Sequence, residues 1–556
     1  MSDFIWLEKY PKNVSWDEEI AAFPLYKIID ESVSNYPDKE VIDFLNYKLL
    51  YKEIGTLINQ AAEGFKRIGV GKGTKVGLFL PNCPQFIISY FAILKAGGVV
   101  VNFSPLYSKP EIEHQIIDSE VEIMVTLNLE LLYPKIDGLV SKCGKFNKIV
   151  VGKMEDFLPF PKNYLFPIFK RKEISKIPDV VKGEMEGYIF PWDLLFAYGE
   201  IKDIPECNPD TDTAVIQYTG GTTGVSKGAE LTHANVYINA MQSANWFDHI
   251  KKGEESILGV LPLFHVFAMT TIMNFGISKG MRIILHPRFE IEKVLVDIQK
   301  KKPTTMPGVP TMFNAINQFK EIDKYDLSSL NACISGGAGL PVEVKKEFET
   351  KTKCILIEGY GLTETSPVAC ANPVNGENKA GSIGLPVGQT IVKIEDIDNK
   401  GIYLPVGSKG ELCIQGPQVM KGYWNQPEET AAVTTDDGFF RTGDIARMDE
   451  DGYVYIVDRL KEMIISGGFK IYPRNVEEVI YTHSHVLEVA VIGIPDEYRG
   501  QAVKAFIALK PDMELSEKDI HIFLKDKLGK HEIPSEIEFL EELPKTMIGK
   551  ISKKDL

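Results

Sequence analysis

Eleven residues, Tyr218 to Gly228 (Y-T-G-G-T-T-G-V-S-K-G), hold four glycines, three threonines, one serine and one lysine. Backbone N–H groups and hydroxyls at this density can close around phosphate oxygens. An apolar run, Thr213–Gln217, precedes the loop and an amphipathic pattern opens near Thr232, which predicts a strand before it and a helix after it. The loop is not the GxxxxGK[ST] type, because Lys227 is followed by Gly228 and not by a hydroxyl residue that could hold Mg2+. A metal ligand must therefore come from elsewhere. Glu364, flanked by Thr363 and Thr365 in the glycine-rich turn G-Y-G-L-T-E-T-S-P (359–367), suits a hard cation shared between protein and substrate phosphates. Taken singly, such a loop is an ordinary connection and such a glutamate a solvated surface group.

The elements that must position these residues follow an α/β rhythm. Lys75–Pro81 reads as a strand, Pro84–Lys95 as a helix and Gly98–Phe103 as a strand. Phe86, Tyr90 and Ile93 are assigned to the core, and Asn82 and Cys83, at a strand-to-helix turn, to a cap. The rhythm resumes after the loop through Met281–His286, Cys333–Ser335 and Cys354–Glu358. From Ser382 it gives way to short strands with glycine turns, the texture of a small β-rich subdomain. Beyond Asp458 the charged junction R-L-K-E leads into about a hundred residues with their own strand and helix signals. There Glu517–Leu528 sets Ile520, Phe523, Leu524 and Leu528 on one helical face. The expected architecture is α/β: a large N-terminal domain of two α/β subdomains plus the β-rich one (1–458), then a mobile α+β C-terminal domain (459–556). No internal repeat is evident.

A chain of 556 residues needs more than one domain. Its 44% hydrophobic and 25% charged content is that of a soluble globular protein. The net charge of -15 argues against nucleic-acid binding, so a site for anions must be locally positive. Seven cysteines are scattered singly without metal-ligand spacing, as expected of reduced core thiols in a cytoplasmic protein. The first residues lack the pattern of a signal peptide, and no apolar stretch approaches the ~20 residues of a membrane span. One segment, Phe157–Ile177, interleaves Phe, Tyr, Leu and Pro with Lys and Arg. That composition suits peripheral contact with the inner face of a membrane, or a surface insertion folded on the body.

Four further motifs accompany the loop and Glu364: L-P-L-F-H-V-F (261–267), F-R-T-G-D (440–444), D-R-L-K-E-M-I-I-S-G-G (458–468) and P-K-T-M-I-G-K (544–550). In this order the set resembles the adenylate-forming superfamily of acyl-CoA synthetases, luciferases and carrier-loading adenylation domains, along the whole chain. The resemblance implies that Thr219, Gly220, Gly221, Thr222, Thr223, Gly224 and Lys227 take the phosphates of ATP, and that Thr363 meets the α-phosphate. Glu364, with Thr219, would hold Mg2+. Ser335–Gly339, with Gly337 and Ala338, and Tyr360 would form the adenine pocket, Asp444 would take the ribose hydroxyls and Arg459 would meet ribose or phosphate, with Glu358, Gly359, Gly361 and Ile456 also at the nucleotide.

Lys550 would bridge the carboxylate and the α-phosphate, lowering the repulsion between two anions. His265 would shape the acyl entrance, although a satisfied core histidine reads almost as well. Lys461 matches a hinge about which the C-terminal domain turns, so that Lys550 leaves and Ser466, Gly467 and Gly468 arrive.

The implied reaction forms an acyl-AMP from a fatty acid and ATP, then passes the acyl group to CoA. The detailed order, including W-L-E-K-Y-P at 6–11, is most similar to bacterial long-chain fatty-acid–CoA ligases. A carrier protein as acceptor, another carboxylic acid, a light-emitting relative and a non-catalytic acyl-nucleotide binder are the alternatives. The compact run 459–473 and the lack of a carrier domain favour CoA, while Lys461 and Lys550 disfavour a mere binder. An acyl chain needs an apolar tunnel of ~300–1,000 Å3, with Val266, Met269 and Gly359–Gly361 as walls. Ala268, Met269 and Thr270 stand where some relatives keep a tryptophan gate. A homodimer would rest on analogy alone.

Overall fold

The structure is a computed structural model that describes residues 4–140, 142–177, 188–219, 226–546 and 549–556. Val99–Asn102 is buried along its length, as a parallel strand covered by helices on both faces must be. It lies in an eight-stranded sheet ordered 422–423, 227–232, 213–219, 99–102, 75–78, 123–127, 148–152, 189–191. The strands from 213–219 to 189–191 are parallel, and the two at the other edge are antiparallel. Helix Pro84–Lys95 is apolar nearly all round and is buried over its full length, as a helix without a polar face should be.

Two more sheets complete the α/β part. One is ordered 307–308, 332–335, 355–361, 368–371, 385–386, the other 256–259, 282–285, 40–44, 47–50. A four-stranded antiparallel sheet of 391–395, 410–415, 440–448 and 454–459 follows. One apolar core runs through all of these, from Trp6 to Val454.

The last hundred or so residues form a smaller unit around the paired strands Val486–Asp496 and Gly500–Leu509. Its apolar clusters, centred on Ile464, Ile480, Ile507 and Leu524 and on Phe506 and Leu543, are separate from the large one. The chain crosses from the large core to the small one between Arg459 and Ile464.

Three local expectations change. The phosphate-type loop joins two antiparallel strands, Thr213–Thr219 and Lys227–Thr232, because Lys227–Thr232 continues into the sheet before helix His233–Trp246 begins. The helix dipole therefore does not point at the loop. Asn82 is no cap: its amide donates to the carbonyls of Leu261 (2.8 Å) and His286 (3.1 Å) and accepts from Leu263 N–H, tying two loops together. The C-terminal helix spans Glu517–Leu524, and Leu528 packs on the same core from the following turn.

The segment at 157–177 divides in two. Phe157 and Leu158 are buried, whereas helix Lys162–Phe169 buries no residue. Phe160 is 80% and Phe169 77% exposed, and Tyr164 and Ile168 are exposed beside them.

Candidate active site

Strand Ile355–Gly361 carries the centre of the site. Its glycines are required by close neighbours: a Cβ on Gly359 would lie 2.7 Å from Ile334 Cδ1, and one on Gly361 would lie 1.9 Å from the carbonyl oxygen of Pro367. Between them Tyr360 donates its hydroxyl to Asp444 Oδ2 at 2.5 Å. Asp444 stands opposite Arg459 across the antiparallel pair, with Arg459 Nε 3.5 Å from Asp444 Oδ1. Burial raises the Asp444 carboxyl, and Arg459, Tyr360 and Lys550 oppose that shift. Ile456 is half-buried on the same strand as Arg459, paired with Ala446.

Lys550 reaches this cluster from the end of the chain. Its Cε would lie 3.0 Å from a Cβ on Gly337, so the lysine stem lies along the turn that follows strand Ala332–Ser335. Gly337 has φ +83°, a conformation open to glycine at no steric cost. The neighbouring carbonyl of Gly549 accepts from Thr311 Oγ1 at 2.8 Å. Burial, then the charge of Arg459, lowers Lys550 to about 8, with Asp444 pulling the other way. His265 is pushed down to about 3 by burial and by Lys550, so its imidazole is neutral. Its Nδ1 accepts from Phe267 N–H at 3.3 Å. Tyr360, Asp444, Arg459, Lys550 and His265 thus form one electrostatic group beside the Gly337 turn.

Glu358 and Ser335 lie below the same turn. Glu358 Oε1 accepts the Leu340 N–H at 3.1 Å, while Glu358 Oε2 and Ser335 Oγ are buried without a partner. Burial raises Glu358 to about 7. Unpaired buried acceptors and donors at a turn are what a polar ligand there would satisfy. Ala338 is exposed at the turn's tip.

Glu364 sits in the turn Thr363–Thr365, which packs on the strands flanking the phosphate-type loop, with Thr219 at the end of one of them. Burial raises the Glu364 carboxyl, and the Tyr423 hydroxyl, donating to Oε1 at 2.8 Å, opposes this. Among the described residues no group of three or more His, Cys, Asp or Glu could hold a metal. One buried carboxylate beside the loop strands nonetheless fits a hard cation whose other ligands are substrate oxygens and water. Lys227 pairs with Glu429 and lies 5.1 Å from the Tyr423 ring centroid. Gly220, Gly221, Thr222, Thr223 and Gly224 lie outside the described residues.

Four expected residues stand apart. Lys461 is exposed in the turn between strands Val454–Arg459 and Ile464–Ser466. Ser466, Gly467 and Gly468 form the bend of a hairpin, with Gly467 N–H bonded to the Arg499 carbonyl and Ser466 opposite Gly500. Tyr423 and Arg474, both in contact with site carboxylates, were not legible. Tyr423 carries no motif, and Arg474 shows only as part of a Pro-initiated helix start.

Met269 opens a π-helical stretch, Met269–Asn274, and its sulfur accepts from Asn102 Nδ2 at 3.6 Å. Thr270 Oγ1 donates to the Ser366 carbonyl. Beside this stretch an apolar cavity of about 20 Å3 is lined by Trp246, Phe247, Thr271, Phe275, Ile334 and Val368. That is room for about one water molecule, so an acyl chain enters here only if these side chains part.

Residues 29–424 match the family described as AMP-binding enzyme, and residues 475–550 match the AMP-binding enzyme C-terminal domain. The chain belongs to the AMP-binding enzyme family. It is 42% identical over 551 residues to a long-chain-fatty-acid–CoA ligase of Bacillus subtilis, covering 99% of this chain and 97% of that one. A long-chain-fatty-acid–CoA ligase of Escherichia coli O6:H1 is 36% identical over 565 residues, with the same coverage of each chain. Among solved structures, ATP-bound MatB of Rhodopseudomonas palustris superposes with a TM-score of 0.84 at 26% identity, covering 96% of this chain and 98% of MatB. Apo MatB superposes with 0.76. This member of the family thus has the α/β architecture expected, with a large N-terminal and a smaller C-terminal domain.

Proposed function

We propose that this AMP-binding enzyme is a long-chain fatty-acid–CoA ligase. The fatty-acid carboxylate oxygen attacks the α-phosphorus of ATP and pyrophosphate leaves, giving acyl-AMP. The CoA thiol then loses its proton, its sulfur attacks the acyl carbonyl, and AMP leaves. The observation that carries this reading is the position of Lys550 beside Gly337, Asp444 and Arg459, in a chain 42% identical along its length to a ligase of that name.

In this reading Asp444 accepts the ribose hydroxyls, Arg459 and Ile456 flank the ribose, and Tyr360 stacks on adenine above Gly337, Ala338, Glu358, Gly359 and Gly361. Thr219, Gly220, Gly221, Thr222, Thr223, Gly224 and Lys227 take the outer phosphates, and Lys227 must leave Glu429 to do so. Thr363 meets the α-phosphate. Glu364, with Thr219, holds Mg2+, which when bound offsets the charge of the phosphates. Lys550 contributes a cation in a desolvated site, where it stabilises charge more than it would in water. Neutral His265 shapes the acyl entrance without competing as a second cation.

The domains divide at 458/459 with the hinge at Lys461, and turning there replaces Lys550 by Ser466–Gly468. CoA is the acceptor. Phe160, Tyr164, Ile168 and Phe169 enter the interface of an anionic bilayer while Lys162, Lys170, Arg171 and Lys172 meet its headgroups. Local positive charge on a chain of net charge -15 supports that contact. K170E/R171E/K172E should then lose co-sedimentation with anionic liposomes; unchanged binding would reject it.

The deciding experiment measures acid-dependent pyrophosphate and thioester formation with Mg-ATP, CoA and fatty acids of graded length. Wild-type thioester that falls about 10²–10³-fold in Lys550→Ala supports the ligase. Pyrophosphate exchange without thioester points to a carrier acceptor, and no turnover on any acid rejects the reading.

A further inference from the structure

Lys550 is not the only cation that the C-terminal domain lays on the large one. Arg474 is the second residue of helix Pro473–Tyr481. Its N–H donates to Asp458 Oδ2 at 2.9 Å, and Asp458 Oδ1 also accepts from Arg459 N–H, so the helix start is pinned to the last strand of the large domain. The Arg474 side chain then turns onto the nucleotide side. Its Nη2 lies 3.9 Å from Glu358 Oε1, and its Nε donates to Glu478 at 3.1 Å. The guanidinium lies so close to the Gly339 backbone that a Cβ there would sit 2.5 Å from Nη2. The single turn Gly336–Leu340 therefore receives both C-terminal cations, Lys550 at Gly337 and Arg474 at Gly339.

Among the described residues, three ion pairs join the part after Asp458 to the part before it. Arg459–Asp444 sits at the junction itself, and Lys470–Asp398 is exposed. Arg474–Glu358 alone lies away from the junction with a buried carboxylate, and no other ion pair reaches Glu358.

We propose that Arg474 is a positioning residue for acyl-adenylate formation: its contact with Glu358 and the Gly339 turn holds the C-terminal domain in the orientation that sets Lys550 against Gly337. The proposal rests on the two-orientation reading above. Glu358 stays with the large domain in either orientation, so whatever Arg474 contributes goes into the balance between them. Asn314 Nδ2–Tyr481 Oη at 3.3 Å and Thr311 Oγ1–Gly549 O are further cross-domain contacts, but they are neutral.

The test uses the full chain with Arg474→Met, which keeps an apolar stem without charge, Arg474→Lys, which keeps the charge, and Glu358→Gln. Adenylation is read as acid-dependent ATP–pyrophosphate exchange, and the second step as thioester formation from supplied acyl-AMP. R474M should lower exchange about tenfold, corresponding to a shift of ~1.4 kcal/mol in the orientation balance, and leave the second step unchanged or faster. R474K should recover most of the exchange. The loss in R474M/E358Q should be smaller than the product of the single losses. Hydrogen exchange with Mg-ATP should show weaker protection of the 336–340 turn in R474M than in wild type, a readout independent of turnover. Equal losses in both half-reactions, no loss in either, or equal protection would overturn the assignment. A wild type without exchange on any acid would overturn the ligase reading, and the protection measurement would still decide on Arg474.

Discussion

The two domains supply the site in different ways. In the large one Glu358, Tyr360, Glu364 and Asp444 stand on strands and turns rooted in a single core, each held by a partner from the same core: Leu340, Asp444, Tyr423 and Tyr360. Lys550 arrives instead from a unit with its own apolar clusters, and the turn that carries it touches the large domain through the Thr311 hydroxyl. In the proposed two-step reading, the groups that bind nucleotide in both half-reactions are the fixed ones. The group that one half-reaction would need and the other would not, Lys550, is mounted on the unit with separate clusters. The small cost of undocking a few polar contacts, compared with opening a core, makes that division workable.

The comparison breaks most severely at Gly361. In Gly361→Ala the added methyl meets the Pro367 carbonyl, a backbone atom that cannot rotate away. Overpacking of this kind costs about 1–3 kcal/mol, and the displaced strand carries Tyr360. Both half-reactions should fall together with a lowered melting temperature. A variant with full stability and only one step impaired would show that the large domain is not the shared platform described here.

Lys461→Pro should do the opposite. Lys461 is exposed and makes no ion pair in the described residues, so proline removes rotation of the chain rather than a contact. Adenylation should stay within about twofold, and thioester formation from supplied acyl-AMP should drop by about tenfold or more. Equal losses in the two steps would place the hinge elsewhere.

Much of this was legible because the residues concerned obey local rules. Strand Val99–Asn102 and helix Pro84–Lys95 showed in the alternation of apolar strand runs with helical patterns. The separate C-terminal unit showed in the charged junction after Asp458. What was not legible depends on distant neighbours. Lys227–Thr232 reads as a helix approach until its pairing with Thr213–Thr219 is seen. Asn82 looks like a cap until its amide is found bridging loops about 180 and 200 residues away. Tyr423 and Arg474 meet Glu364 and Glu358 only after folding. The apolar side was the least readable: the cavity of about 20 Å3 beside Thr271 and Phe275 is lined by none of the residues named as tunnel walls, Val266, Met269 and Gly359–Gly361. Shape complementarity among apolar residues leaves no periodic trace in a sequence.

The smallest effect concerns the charge on Lys550. A lysine held near 8 is protonated below that pH and neutral above it, whereas an arginine in its place stays charged throughout. Because kcat/KM reports groups of the free enzyme, adenylation by the wild type should decline above pH 8 by about tenfold per unit. Lys550→Arg should show a lower plateau, since the broader guanidinium does not match the slot beside Gly337, but no decline up to about pH 10. The Glu358 carboxyl, raised to about 7, ionises below this window and is the same in both proteins, so it cannot produce the difference. Pyrophosphate exchange measured from about pH 6.5 to 9.5 would decide it. An identical descending limb in the two proteins would mean that some group other than Lys550 sets it, and that the cation brought by the C-terminal domain is not the one whose protonation adenylation requires.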